Sequence, residues 1–237
     1  MTTRNDLILH LGMLKSASTF LQQRYWNRFD LNVGKPLRNK TADLDIRYEN
    51  VSQELRKLQN CSLGVLSDEA LLTGGVQNEI YRQRIFESLG DFSVLPVVIC
   101  RKPTSLVSSA IAYFSKGLLM PNFHQTANEL FMRFPKLLDF LDYEWLSSWL
   151  QVQFDNQPLM LSLNELDTLP SLLEAKFGEK ARVMRAGEKL SDLERTNESS
   201  PLRRVIVRNS NEPLYRLCPE WRYLEELDSK FDSTFQA

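Results

Sequence analysis

The run Leu7–Gln22, LILHLGMLKSASTFLQ, constrains the fold more than any other part of the chain. Leu7–Leu11 is apolar and strand-sized, Gly12 opens a turn, and small hydroxyl residues lead into a helix start at Ser16, Ser18 and Thr19. A strand that feeds a helix through so short a turn aims several free backbone N–H groups at one point. That point also feels the positive end of the helix dipole. It attracts anions, phosphate above all, and Lys15 inside the turn adds a full positive charge.

Beyond this run, strand and helix patterns alternate. The alternation predicts an α/β, P-loop-like three-layer domain with a central, mostly parallel sheet flanked by helices. Strands are expected at Leu7–Leu11, Leu63–Leu66, Val94–Cys100, Pro158–Leu163 and Ala181–Met184. Helices are expected at Ser18–Phe29, Val51–Gln59, Gln77–Leu89, Pro103–Ser115 and Ser171–Phe177, and in two pieces across Phe123–Trp149. Ile80, Ile85 and Leu89 give the third of these one apolar face. Pro103 stands in the first turn of its helix, where a missing N–H costs nothing. Ser200-Pro201 opens a helix to about Arg208, and Asn211–Lys230 closes the chain with one or two more. Asp30–Asn50 and Leu190–Ser200 are polar and read as irregular, and Gly117–Pro121 breaks the pattern. With no repeat, low-complexity tract or linker in 237 residues, 1–237 reads as a single domain.

Charge and cysteine usage narrow the classes. The formal net charge of -1 gives no bulk electrostatic case for nucleic acid or an acidic membrane. Cys61, Cys100 and Cys218 are odd in number and contain no C-x-x-C, which argues against a disulfide scaffold and a cysteine zinc site. No metal-ligand set stands out. No stretch approaches the ~20 apolar residues that span a bilayer, and the first apolar run is too short for a signal peptide. A soluble cytoplasmic protein is expected, with the oligomeric state left open.

The anion loop is not a nucleotide-triphosphate P-loop by spacing. That motif needs G-x-x-x-x-G-K-[ST], whereas here only Gly12 precedes Lys15 and the tight turn Ser16-Ala17-Ser18-Thr19 follows it. The segment instead resembles the 5′-phosphosulfate loop of sulfotransferases that use 3′-phosphoadenosine-5′-phosphosulfate (PAPS), in particular the bacterial and carbohydrate-type branch. That branch often reads H-x-G-x-x-K-T-[GA]-[ST]-T-x-L-Q. The chain matches at His10, Gly12, Lys15, Ala17, Ser18, Thr19, Leu21 and Gln22 and departs at Ser16, which keeps the hydroxyl and the N–H. The resemblance implies that Lys15, Ser16, Ala17, Ser18 and Thr19 bind the phosphosulfate.

The resemblance continues in order. VVICRKPTSLVSSAIAYF puts Arg101 at a strand end and Ser109 eight positions on, the spacing with which sulfotransferases hold the 3′-phosphate of PAPS. A guanidinium fork suits a phosphate monoester, and Ser108 is an equal rival for the hydroxyl. Ser67-Asp68-Glu69 ends the second strand, where ligand sites of open α/β sheets lie. Sulfotransferases need a base for the acceptor's proton, and Glu69 comes first, Asp68 second. A helix cap is the competing role for either. His124, in the Met120–Gln125 loop, is the minor contender for base, and His10 either orients the anion loop or fills a polar core position.

Arg195-Thr196-Asn197-Glu198-Ser199 resembles the R-x-N-x-S loop of bacterial members, but Arg195, Arg203 and Arg204 read best as a solvated face. Phe114, Phe123, Phe131, Phe134, Tyr143 and Trp145 line an acceptor pocket or, more ordinarily, pack in the core. The expected activity is transfer of a sulfuryl group from PAPS to a hydroxyl or amine of a small-molecule, lipid or glycan acceptor, with adenosine 3′,5′-bisphosphate as product. The alternatives are a kinase-like phosphotransferase on a variant P-loop and a non-catalytic protein that binds the nucleotide.

Overall fold

Four apolar runs form one sheet: β1 (Asn5–Leu11), β2 (Leu63–Asp68), β3 (Phe92–Cys100) and β4 (Leu159–Ser162). The computed structural model describes residues 5–13, 16–29, 32, 43–58, 62–73, 75–114, 123–193 and 220–235, with 112–114 and 123–126 described by backbone alone. The strands pair in the order β2-β1-β3-β4, all parallel. The register sets Leu9 between Leu66 and Pro96, and His10 between Ser67 and Val97. Helices cover both faces, which is why the strands read as near-continuous apolar runs rather than alternating ones, with polar residues at their ends.

Side-chain alternation sorts the sheet into two cores. Leu7, Leu9, Leu11, Leu66, Val94 and Val98 face one layer of helices; Ile8, Val65, Leu95, Val97 and Ile99 face the other. The first layer holds α2 (Leu44–Leu58), α3 (Val76–Ser88), α4 (Pro103–Phe114), α7 (Tyr143–Phe154) and the closing helix α9 (Glu220–Phe235). The second holds the helical segment after β1, which is α1 (Ser18–Phe20), and α8 (Leu169–Phe177). The segment after β1 and the helix after β3 therefore leave adjacent strands toward opposite faces. In open α/β sheets such a divergence marks the usual ligand crevice, here at the carboxyl ends of β1 and β3.

Pro96 sits inside β3, a position that normally needs its N–H. Pairing with β4 begins only at Val97 opposite Leu159, and the Val94 carbonyl on that flank is taken by Asn156 Nδ2 at 2.9 Å. The missing donor therefore falls where no ladder runs.

Several elements differ from expectation. The helix expected over Ser18–Phe29 is α-helical only to Phe20, then a π-turn at Leu21–Tyr25 and a 3₁₀ turn at Trp26–Arg28. The widened turn buries Leu21, Tyr25 and Trp26 together. α2 starts inside the segment read as irregular, because the Asp43 carboxylate accepts the Asp45 N–H at 2.9 Å and caps it. On α3, Ile85 is buried as expected, and so is Leu89 just beyond the helix, but Ile80 is 62 % exposed, and Tyr81 and Arg82 turn inward in its place. Two polar partners decide that rotation, since the Tyr81 hydroxyl donates to Asp68 and Arg82 Nη1 to the Leu71 carbonyl.

The aromatic stretch makes three helices rather than two: α5 (Phe123–Arg133), α6 (Leu137–Leu141) and α7. Pro135 stands in the first break, and Asp142 caps α7 through the Trp145 N–H at 3.2 Å. Ala181–Met184 forms no strand. Ala181 ends a 3₁₀ turn, and Arg182 is drawn outward by Glu174 and Glu179. The helix expected from Ser200 and the Arg195–Ser199 loop lie outside the described residues. No helix among the described residues is long and apolar enough to cross a membrane.

Candidate functional site

The loop after β1 is built from its own neighbours. The Met13 carbonyl accepts from Ser16 Oγ at 2.9 Å, Ser18 Oγ at 3.2 Å and the Ser16 N–H at 3.4 Å. Both serines are buried, with their hydroxyl oxygens 3.4 Å apart. Ala17 adopts a left-handed conformation, φ 61°, which turns the chain into the helical segment. A non-glycine residue there stores on the order of 1–3 kcal/mol of strain, and alanine is the smallest side chain that has a Cβ to strain. The Ala17 carbonyl then accepts the Leu21 N–H at 3.0 Å. Lys15 lies outside the described residues.

Glu69 reaches this loop from the next strand. Thr19 Oγ1 donates to Glu69 Oε1 at 3.4 Å. A Cβ at Gly12 would stand 2.7 Å from Ser18 Oγ and 2.8 Å from Glu69 Cγ, so the absent side chain is what lets Ser18 and Glu69 close over the strand end. Asp68, the other acidic candidate, is fully buried and committed to structure. It accepts from Arg47, from the Tyr81 hydroxyl at 2.5 Å and from the Ala70 N–H at 2.8 Å, and so caps the 3₁₀ turn Glu69–Leu72. Burial and the Asp68 carboxylate raise the Tyr81 phenol above its ordinary range. Burial opposes the Arg47 charge, but Asp68 and Tyr81 outweigh it and raise the guanidinium pKa.

His10 ties the two strand ends together. Its Nδ1 lies 2.7 Å from Ser67 Oγ, and Gln22 Nε2 donates to the Ser67 carbonyl at 3.4 Å. The ring is fully buried beside Trp26, with centroids 5.4 Å apart. Burial lowers its pKa from 6.5 to about 3, so it is neutral at physiological pH. Its place is the polar core beneath the loop.

At the end of β3 the support is remote. Tyr143 closes a bracket on Arg101, accepting its N–H at 3.1 Å and donating to its carbonyl at 2.7 Å. Asp228 of α9 accepts both the Thr104 N–H at 3.0 Å and the Thr104 hydroxyl at 2.5 Å, capping α4 from outside its own sequence. Lys102 pairs with Asp232 of the same helix at 2.6 Å. Arg101 is part-buried, which lowers its pKa, and its Nε donates to Ser105 Oγ at 3.1 Å. Ser105 stands one turn nearer the strand than Ser109, on the same helix face. Ser108 and Ser109 are both half-buried in α4.

The fold thus gathers the loop of Ser16, Ala17, Ser18 and Thr19, the Glu69 carboxylate and the Arg101 guanidinium at the carboxyl ends of three adjacent strands. Position 124 falls in α5 rather than in a loop, with its side chain outside the described residues. Phe134 and Tyr143 are core residues, whereas Trp145 is 44 % exposed. Ser105, Arg47 and Asp228 escape sequence reasoning. A serine in the first turn after Arg-x-Pro was a usable signal for the first, and the Asp43 cap for the second; Asp228 carries no local one. Among the described residues, no group of three or more His, Cys, Asp or Glu could hold a metal ion. No family model, curated protein or solved structure matches the chain.

Proposed function

We propose that the protein is a PAPS-dependent sulfotransferase. The observation that carries this reading is that three motifs stand at the carboxyl ends of adjacent strands: the hydroxyl-rich loop after β1, Glu69 against that loop through Thr19, and Arg101 at the next strand end. The residues fit the donor's two ends, one anion cradle on each side of the switch in helix direction. PAPS, when bound, supplies the sulfuryl group. Lys15 and the loop N–H groups meet the charge that grows on the leaving phosphate oxygen, where fixed donors count most. Arg101, with a serine of α4, holds the 3′-phosphate. Glu69 takes the proton of an acceptor hydroxyl or amine as that group attacks. Small-molecule, lipid and glycan acceptors all suit this chemistry.

A thermal-shift series with PAPS, adenosine 3′,5′-bisphosphate, and ATP with and without magnesium tests the reading, because a ligand that favours the native state raises its melting temperature. The first two ligands are expected to raise it and ATP is not. A magnesium-dependent shift with ATP alone supports the phosphotransferase alternative. Transfer of radiolabelled sulfate from PAPS into a cell extract then separates an enzyme from a nucleotide-binding protein. Lys15→Ala is expected to slow that transfer on the order of 10²–10³-fold.

A further inference from the structure

We infer that Arg47 is a positioning residue for Glu69, acting through the buried carboxylate of Asp68; the inference rests on the reading of Glu69 as the group that receives the acceptor's proton. Two acidic residues stand side by side at the end of β2, and the fold gives them opposite surroundings. Asp68 has no exposure, whereas Glu69 is half-buried at the loop. A carboxylate persists without water only when donors meet its oxygens. Four do so here. Arg47 Nε donates to Oδ2 at 3.0 Å and Arg47 Nη2 to Oδ1; the Tyr81 hydroxyl donates to Oδ2 at 2.5 Å and the Ala70 N–H to Oδ1 at 2.8 Å. The guanidinium fork supplies two of the four in one plane, so it fixes the rotation of the carboxylate as well as its charge. Arg47 also lies over the Tyr81 ring, 5.9 Å from its centroid.

The Ala70 N–H bond carries this order to Glu69. It starts the turn Glu69–Leu72, whose carbonyls are held from α3: Asn78 Nδ2 donates to Ala70 O at 3.1 Å and Arg82 Nη1 to Leu71 O at 3.2 Å. The Glu69 backbone is therefore strung between two anchored neighbours. Its side chain leaves in one direction, past Gly12 toward Thr19. Rotating the Asp68 carboxylate would withdraw the acceptor from Ala70 and loosen that direction. A lysine at position 47 would keep the charge and lose the fork.

Carbon-13 NMR of protein labelled at the glutamate carboxyl tests this, with the Glu69 line assigned through Glu69→Gln. The line is expected to move in Arg47→Met, and by less in Arg47→Lys and Tyr81→Phe, while those of Glu165 and Glu188 hold still. PAPS-dependent turnover in Arg47→Met should fall on the order of 10²-fold with KM for PAPS unchanged, the scale for a misdirected catalytic group. A Glu69 line that stays in place in every folded variant, even as melting temperature drops, would overturn the inference and leave Arg47 a purely structural clamp. If Arg47→Met does not fold, Tyr81→Phe decides alone, since it removes one hydroxyl. The NMR readout needs no turnover. A wild-type protein that binds no adenosine 3′,5′-bisphosphate and transfers nothing sinks the sulfotransferase reading, while the Glu69 line still decides the positioning.

Discussion

The ends of β1 and β3 lie side by side in the sheet and are held by opposite means. Inside the turn of the first, the described bonds from Met13 to Ser18 join residues within five positions of one another, and only its flanks reach across to β2, through His10 and Gln22 to Ser67 and Thr19 to Glu69. The second depends on Tyr143, 42 positions from Arg101, and on Asp228, 124 positions from Thr104. A self-contained turn keeps its geometry when distant parts of the chain move. A strand end braced by a closing helix inherits whatever loosens that helix. The two halves of the crevice are therefore expected to respond differently to remote and to local substitution.

The largest effect should come from the remote brace. Leu224, fully buried on α9, costs roughly 2–5 kcal/mol when cut to alanine, and chemical denaturation should show it. A change under about 0.5 kcal/mol would break the comparison, because α9 would then be an appendage. Next comes acid. The unfolded chain protonates His10 near pH 6.5 and the folded chain only near pH 3, so between these values the unfolded state holds the extra proton. Stability should be flat above about pH 7 on this account and fall as pH drops from 6.5 toward 3. The pH slope of unfolding free energy in His10→Asn should be shallower by about one proton.

Smaller effects address the turn itself. Ala17→Val places a branched side chain at φ 61° and should cost about 1–3 kcal/mol, whereas Ala17→Gly should hold or raise the melting temperature. Equal losses in both would mean that the side chain, not the backbone, matters there. Asp228→Ala removes a cap worth roughly 0.5–2 kcal/mol and should weaken adenosine 3′,5′-bisphosphate binding more than Ala17→Gly does. The smallest is Lys102→Met. Its ion pair with Asp232 is solvent-exposed and should contribute within about 1 kcal/mol, as a thermal melt would show.

The same contrast explains what the sequence discloses. A contiguous motif builds its own geometry, so the strand at Leu7–Leu11, the helix start at Ser18 and the proline-led helix after Arg101 are legible in the sequence, whereas the π-turn from Leu21 is not. The all-parallel order β2-β1-β3-β4 follows from alternation only as a class, since no local signal says beside which strand β3 will add. Glu69 ranks ahead of Asp68 as the base in the sequence, but nothing nearby marks that Asp68 is the one to meet Arg47 and Tyr81. Ile80 was placed inward on apolar period alone; the Tyr81 hydroxyl, with a buried carboxylate waiting, outweighed it. Polar partners from distant segments override hydrophobic period at such places, and they cluster beside the crevice.

Pro96 has a consequence for the shape of the whole scaffold. With no amide proton to offer, β3 admits its outer neighbour only along Val97–Cys100, the upper half. The platform is four strands broad beneath the crevice and three strands broad at its base. β4 also cannot slip downward by one step, because the first rung it would need is missing. One imino acid in mid-strand thus leaves the sheet widest beneath the candidate site and sets where the last strand begins to pair.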